Sequence, residues 1–414
     1  MTSPTPILLR NAAILDGTAP ERRLGCDVLI EGTVIREVAE KPLRAESATV
    51  LDMDGRTLMP GLIDCHVHVI ASLVNIGANA ALPNAIATLQ AVPILKGMLQ
   101  RGFTTVRDAG GADFALAEAV ERGLVEGPRL FVSGRALSQT GGHGDFRGRH
   151  NEAEPCACCR QAGNLARIVD GVDAVRKAVR EEIKAGAHQI KIMASGGVAS
   201  PTDPIHFLGY SRGEITAIAE EAAHADTYVM AHAYTARAIK RAVECGVRTI
   251  EHGNLVDDDA AAAMRVRNAF AVPTLVTYEA LAADGARLGL PPESVAKIAA
   301  VREAGLRSLE IYRRNGVPMA YGSDLLGPMH ERQSEEFVLR AQALPPHEVI
   351  KSSTSVAAQV LRMEGKLGVV APGAQADLIA VAGDPLLDLS LLGDQGRHMP
   401  FIMKGGIAVK NEIG

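Results

Sequence analysis

Aromatic residues are scarce in this chain, 3% of 414 positions, and tryptophan is absent. Proteins that hold single-stranded nucleic acid stack its bases on aromatic platforms, and too few rings are present to build one. A dominant charge is missing as well: the formal net charge of -5 gives no pull toward a polyanion or an anionic membrane. No stretch reaches the roughly 18 apolar residues of a spanning helix. The first ten residues show no basic start leading into an apolar run, although a leader already removed would leave no trace. The expected setting is cytoplasmic, with neither nucleic acid nor membrane as partner. Cysteines number six, and Cys156, Cys158 and Cys159 share one polar segment. A CxCC group lacks the second ligand pair of a structural zinc site, so the segment reads as a loop, with a metal or redox role as the alternative.

What is present is a folded composition, 47% hydrophobic and 22% charged. From position 57 to about 363, short β-branched apolar runs alternate with longer helical patterns, which marks repeated βα units around a parallel sheet. Eight strands are expected, at 58–68, 104–108, 129–133, 189–194, 228–232, 249–252, 270–276 and 317–323. Helical patterns fall at 172–185, 215–225, 236–244 and 301–314. In the first of these Val172, Val175, Val179 and Ile183 recur at spacings of three and four. Gly186, Gly246 and Gly316 stand where helices close, because glycine takes a left-handed conformation at least cost. Eight strands with helices between them favour an α/β fold closed as a (β/α)8 TIM barrel. The ends differ: strand-like runs at 7–14, 28–38, 377–381 and 401–409 are separated by turn residues. They are expected to pair into one small β-sandwich. The expected organisation is thus sandwich in 1–57, hydrolase barrel in 58–363 and the rest of the sandwich in 364–414.

No GxGxxG or P-loop pattern follows a strand, which disfavours a nucleotide-binding enzyme. The polar residues at strand ends carry the chemistry. His66 and His68 lie two apart at the end of the first strand, so period-two alternation points both to one face, where they can share a metal ion. Alone, an HxH pair is a weak motif. Lys191, His232, His252 and Asp324, however, also sit at or near the C-terminal ends of their strands, the face on which barrel active sites form. A lysine inside a strand would otherwise bury a costly charge.

These residues resemble the binuclear, metal-dependent type of the amidohydrolase superfamily, and the resemblance covers essentially the whole chain. The motif Pro60-Gly61-Leu62-Ile63-Asp64-Cys65-His66-Val67-His68 and the positions of Lys191, His232, His252 and Asp324 carry it. The segments 190–197, 231–234 and 251–254 resemble a narrower, imidazolonepropionase-related branch, that of Xaa-Pro dipeptidases and ochratoxin-hydrolysing amidohydrolases. The resemblance implies two divalent metal ions, with Zn2+ favoured by nitrogen and carboxylate ligands. It further implies a carboxylated Lys191 bridging them, His66, His68 and Asp324 on one ion, and His232 and His252 on the other. The implied reaction is hydrolysis, by a metal-bridging hydroxide, of an amide joining an acyl group to a C-terminal amino acid: an N-acyl amino acid, a dipeptide or an ochratoxin A-type substrate. The partner is then a small amide with a free carboxylate, Asp324 is the general acid and base, and a homo-oligomer is suggested.

Substrate recognition is expected from loops. His143, in the long segment 138–164, can bond a substrate carboxylate or the developing oxyanion, or be a solvated loop residue. The dipeptidase resemblance assigns Tyr234, and with less support Tyr210, to the α-carboxylate; a packed ring is the alternative for each. Segment 195–210 reads as a lid over the metals or as a rigid turn. Two other readings remain. A mononuclear deaminase or cyclic amide hydrolase of the same superfamily is opposed by Thr235, where many deaminases carry glutamate, and by Lys191. A non-catalytic scaffold has no physical need of this ligand set.

Overall fold

In parallel sheets both faces are covered, so the strands read as continuous apolar runs rather than alternating ones. The middle of the chain follows that rule: Leu62–Val67, Phe103–Asp108 and Ile190–Met193 are buried at every position. The computed structural model describes residues 5–151, 161–200, 202–290 and 292–413; Cys156, Cys158 and Cys159 lie outside them. One parallel ladder runs Leu62–Val67, Phe103–Asp108, Arg129–Val132. A second runs Ala166–Ile168, Ala136–Ser138, Ile190–Met193, Val229–Thr235, Thr249–Leu255, Phe270–Val272.

The two ladders belong to one (β/α)8 TIM barrel, and backbone bonds join them. His188 N donates to Val132 O at 2.8 Å between the third and fourth expected strands. On the other side, Ala320 N donates to Ala271 O (2.8 Å) and Cys65 N to Tyr321 O (2.8 Å). Segment 317–324 therefore lies between the last strand and the first. It is tied by an isolated bridge, Ala271 to Met319, instead of a full ladder; Pro318, which has no N–H to donate, sits in it.

Other boundaries moved for local reasons. The run 58–68 divides at Gly61, into Thr57–Pro60 in the terminal sheet and Leu62–Val67 in the barrel. A Cβ at Gly61 would overlap the Thr104 side chain, so only glycine lets the chain pass. The run 28–38 is a hairpin of Arg23–Glu31 and Val34–Ala39, turning at Gly32 with φ +58°. The run 270–276 stops at Val272 before Pro273 and passes into the helix Leu275–Ala280. The helix expected at 301–314 begins earlier, as Pro292–Arg314. The glycines expected to close helices, Gly186, Gly246 and Gly316, have φ of +96°, +101° and +67°.

The two ends of the chain do pair with each other. Leu378–Val381 runs antiparallel to Thr57–Pro60, with Ile379 opposite Met59, in one eight-stranded sheet that also holds Ile7–Ile14 and Phe401–Lys404. Its own core includes Leu9, Val28, Leu58, Leu378, Phe401 and Met403. Among the described residues no helix is long and apolar enough to cross a membrane.

Candidate metal centre and active site

Four imidazoles gather where the barrel strands end. Ring centroids are 5.4 Å apart for His66 and His68, 4.9 Å for His66 and His252, and 4.7 Å for His232 and His252. Each ring is oriented by a hydrogen bond at one nitrogen, which decides the nitrogen left for a ligand. His66 Nδ1 donates to Glu251 Oε2 (2.7 Å) and His68 Nδ1 to Gly110 O (2.9 Å), leaving Nε2 on both. His252 Nδ1 bonds Thr274 Oγ1 (2.8 Å), again leaving Nε2. His232 is reversed: Nε2 donates to Gly196 O (3.1 Å), so Nδ1 carries its lone pair.

Asp324 faces this group, with Oδ1 3.4 Å from His66 Nε2 and 3.3 Å from His68 Nε2. Ligand atoms of His66, His252 and Asp324 lie within 4.8 Å of one another. Among the described residues His66 Nε2 is buried without a hydrogen-bond partner, a cost that a cation would remove. Burial, with His143 and His252 near one ring and His66 and Lys191 near the other, holds His232 and His252 well below the ordinary histidine range. Both are neutral, as ligands must be. Burial alone would raise the Asp324 carboxyl, but His66, His68 and His252 hold it well below its usual value. Burial brings Lys191 down to about 8. The donor set, neutral imidazoles with a carboxylate beside a buried lysine, fits divalent cations. Two ligand-type residues have left-handed backbones, His252 at φ +69° and Asp324 at φ +53°, a strain of about 1–3 kcal/mol each of the kind found at functional sites.

Behind the ligands stands a layer of charge that the sequence reading missed. Glu251 is fully buried and accepts from Arg107 Nη2 at 3.0 Å on both oxygens, as well as from His66. Burial would raise its pKa, yet Arg107 and His66 hold it at about 2. Asp64 accepts from the His66 and Ser323 amides and from the Ser323 hydroxyl (2.6 Å), fastening the first strand to the turn that carries Asp324. Asp108 accepts from the Gly110 amide (2.9 Å), next to the carbonyl that orients His68. Each is an acidic residue within two positions of a ligand or of a ligand's hydrogen-bond partner, a pattern visible in sequence.

Glu251→Ala leaves Arg107 buried without its counter-charge. Its expected cost is about 3–5 kcal/mol, read by denaturant unfolding. Since the folded-state pKa lies below the ordinary 4.5, the stability from Glu251 is present above pH 4.5 and lost as pH falls toward 2. The variant's deficit should narrow across that window; an equal deficit at pH 3 and pH 7 would contradict the assignment.

The cavity at this centre is lined by His66, His68, Lys191, His232, His252 and Asp324, and also by His143, Tyr234 and Tyr278. His143 stacks on His232 at 4.1 Å and 24°. Tyr234 shares a 2.8 Å hydroxyl bond with Tyr278, a residue the sequence reading passed over. Tyr210 is placed elsewhere: it is buried, is not among the cavity-lining residues, and its hydroxyl has no partner among the described residues. Thr235 accepts from Ala238 N and caps the helix Ala236–Glu244.

A profile of the amidohydrolase family matches residues 57–407. The chain belongs to the amidohydrolase family. It is 32% identical over 368 residues to ochratoxinase of Aspergillus niger, covering 84% of this chain and 75% of that protein. A solved prolidase complexed with N-methylphosphonate-L-proline is 56% identical, with TM-score 0.97 over 98% of this chain and 100% of that one. A Xaa-Pro dipeptidase with bound methionine is 28% identical, with TM-score 0.88 over 98% and 100%. The chain is accordingly an amidohydrolase, of the ochratoxinase-like and dipeptidase branch, acting on amides or peptides.

Proposed function

We propose that this amidohydrolase cleaves the amide between an acyl group and a C-terminal amino acid with a free carboxylate, in a site holding two divalent metal ions. The observation that carries this reading is the set of ring nitrogens left free by fixed outer hydrogen bonds, all lining one cavity with Asp324 and Lys191. In this reading His66, His68 and Asp324 would hold one ion, His232 and His252 the other, and Lys191 would serve both. When bound, the ions acidify a water and polarise the scissile carbonyl; zinc is the favoured identity for nitrogen and carboxylate ligands.

The protein's own groups supply the rest. Lys191, with a pKa near 8, has an appreciable unprotonated fraction at neutral pH. The free amine attacks carbon dioxide, forms an N–C bond and releases a proton, which leaves a carbamate with two oxygen donors and no positive charge. Asp324, kept ionised, accepts a proton at its carboxylate and returns it to the departing amine nitrogen. The free α-carboxylate finds a donor in Tyr234, and His143, lining the same cavity, faces the substrate. The prolidase and Xaa-Pro dipeptidase likenesses favour a dipeptide over ochratoxin A-type substrates.

Removing metal with a chelator should abolish dipeptide cleavage, and zinc, manganese or cobalt should restore it; full activity after verified metal removal would contradict the reading. Tyr234→Phe should raise KM about tenfold or more on free-acid substrates, the loss expected for a hydrogen bond to a charged group. An unchanged KM would remove Tyr234 from recognition.

A further inference from the structure

Segment 195–203 touches the site at three places. Gly196 O orients His232, Ser195 Oγ accepts from Tyr234 N (3.1 Å), and Ser200 meets His143. One side chain from outside the segment fastens it. Lys297, on the helix Pro292–Arg314, donates to the carbonyls of Gly197 (2.9 Å), Ser200 (2.8 Å) and Asp203 (2.9 Å), which uses all three ammonium protons. Lys297 thus ties Gly197, Ser200 and Asp203 to the helix Pro292–Arg314.

Asp203 lies inside the tied segment, 3% exposed. Its Oδ2 accepts from Gly197 N at 3.0 Å and its Oδ1 accepts the Ser200 hydroxyl proton. Serine has one proton to give. With that proton committed to Asp203, Ser200 Oγ must act as acceptor in its 2.7 Å bond to His143 Nδ1. Nδ1 therefore carries hydrogen and Nε2 is the nitrogen available to a ligand. The ring is further confined by His232 stacked on it and by Gly197, where any Cβ would collide with the imidazole.

We propose that Asp203, acting through Ser200 and fastened by Lys297, is a positioning group that sets the tautomer and orientation of His143 toward the substrate. The proposal rests on the recognition role given to His143 above. None of the three residues is among those lining the cavity, and the bond that links them to its recognition side is the one from His143 Nδ1 to Ser200 Oγ.

The test compares Ser200→Ala, Asp203→Asn and Lys297→Met with His143→Ala, singly and combined. Each single variant should lose about 10–100-fold in kcat/KM, the usual effect of an outer group that orients a site residue, with metal content unchanged. Combined with His143→Ala, each should cause little further loss, because residues acting through one partner are not additive. Histidine nitrogen NMR of the resting protein should show a hydrogen-bonded Nδ1–H on His143 that disappears in Ser200→Ala. Losses that add in full to His143→Ala, losses that track metal release, or a His143 protonated only at Nε2 would each overturn the proposal. A wild-type enzyme inactive on free-acid dipeptides counts against the proposed function instead, and the NMR signal still decides this one.

Discussion

Asp324→Asn should lower kcat by about 10²- to 10⁴-fold on an Xaa-Pro dipeptide, the range expected when a positioned acid–base group is removed. Asparagine keeps the size and one oxygen donor of the residue it replaces, so the contacts that build the turn survive. Those contacts do not use the Asp324 side chain: Asp324 N donates to His66 O at 2.8 Å, and the Ser323 amide donates to the Asp64 carboxylate at 3.2 Å. What asparagine cannot do is accept a proton and give it back. The wild-type carboxylate is held ionised by three imidazoles, and its side chain, 20% exposed, lines the cavity. The measurement is steady-state kcat together with metal content. A kcat within about threefold of wild type, at equal metal, would take Asp324 out of proton transfer.

Lys191→Ala should cost more than about a hundredfold in activity, beyond the usual effect of losing an outer-shell group, and should lower the bound metal per chain. The lysine is 2% exposed, and no ion pair to it is present among the described residues. Such a burial is unfavourable for an ammonium, which is why its pKa falls to about 8. In the proposed function a carbamate would remove the charge and supply the bridge. Alanine leaves a hole of about the right size for a small carboxylic acid, so millimolar formate or acetate should recover part of the lost metal and activity. Full metal content in Lys191→Ala without any added carboxylate would show that the lysine is not a bridge.

The barrel was legible because its strands are buried on both faces and therefore read as uninterrupted apolar runs, and the candidate ligands stood out because each is a polar residue in or just after such a run. Boundaries were harder where one residue decides them: Gly61 splits an apparently continuous run between two sheets because of Thr104, a contact that no local pattern reveals. Pro318 was visible, yet its consequence, a bridge in place of a ladder, depends on neighbours far away in sequence. Glu251, Asp64 and Asp108 look like incidental acids beside strands until Arg107, Ser323 and Gly110 are brought to them across the barrel. Tyr210 shows the opposite failure. The dipeptidase resemblance assigned it to recognition, with a packed ring as the alternative, and the return of the chain at Gly209, whose amide bonds Ala194 O at 2.9 Å, leaves the ring buried and outside the cavity lining.

The central claim is that the cavity recognises an amide whose departing half carries a free α-carboxylate. The most direct measurement is kcat/KM of the metal-loaded enzyme on an Xaa-Pro dipeptide and on the same dipeptide with its C-terminal carboxylate converted to a primary amide. The account predicts rapid release of free proline from the first, and at least a tenfold lower kcat/KM on the second. Equal values on the two would contradict it.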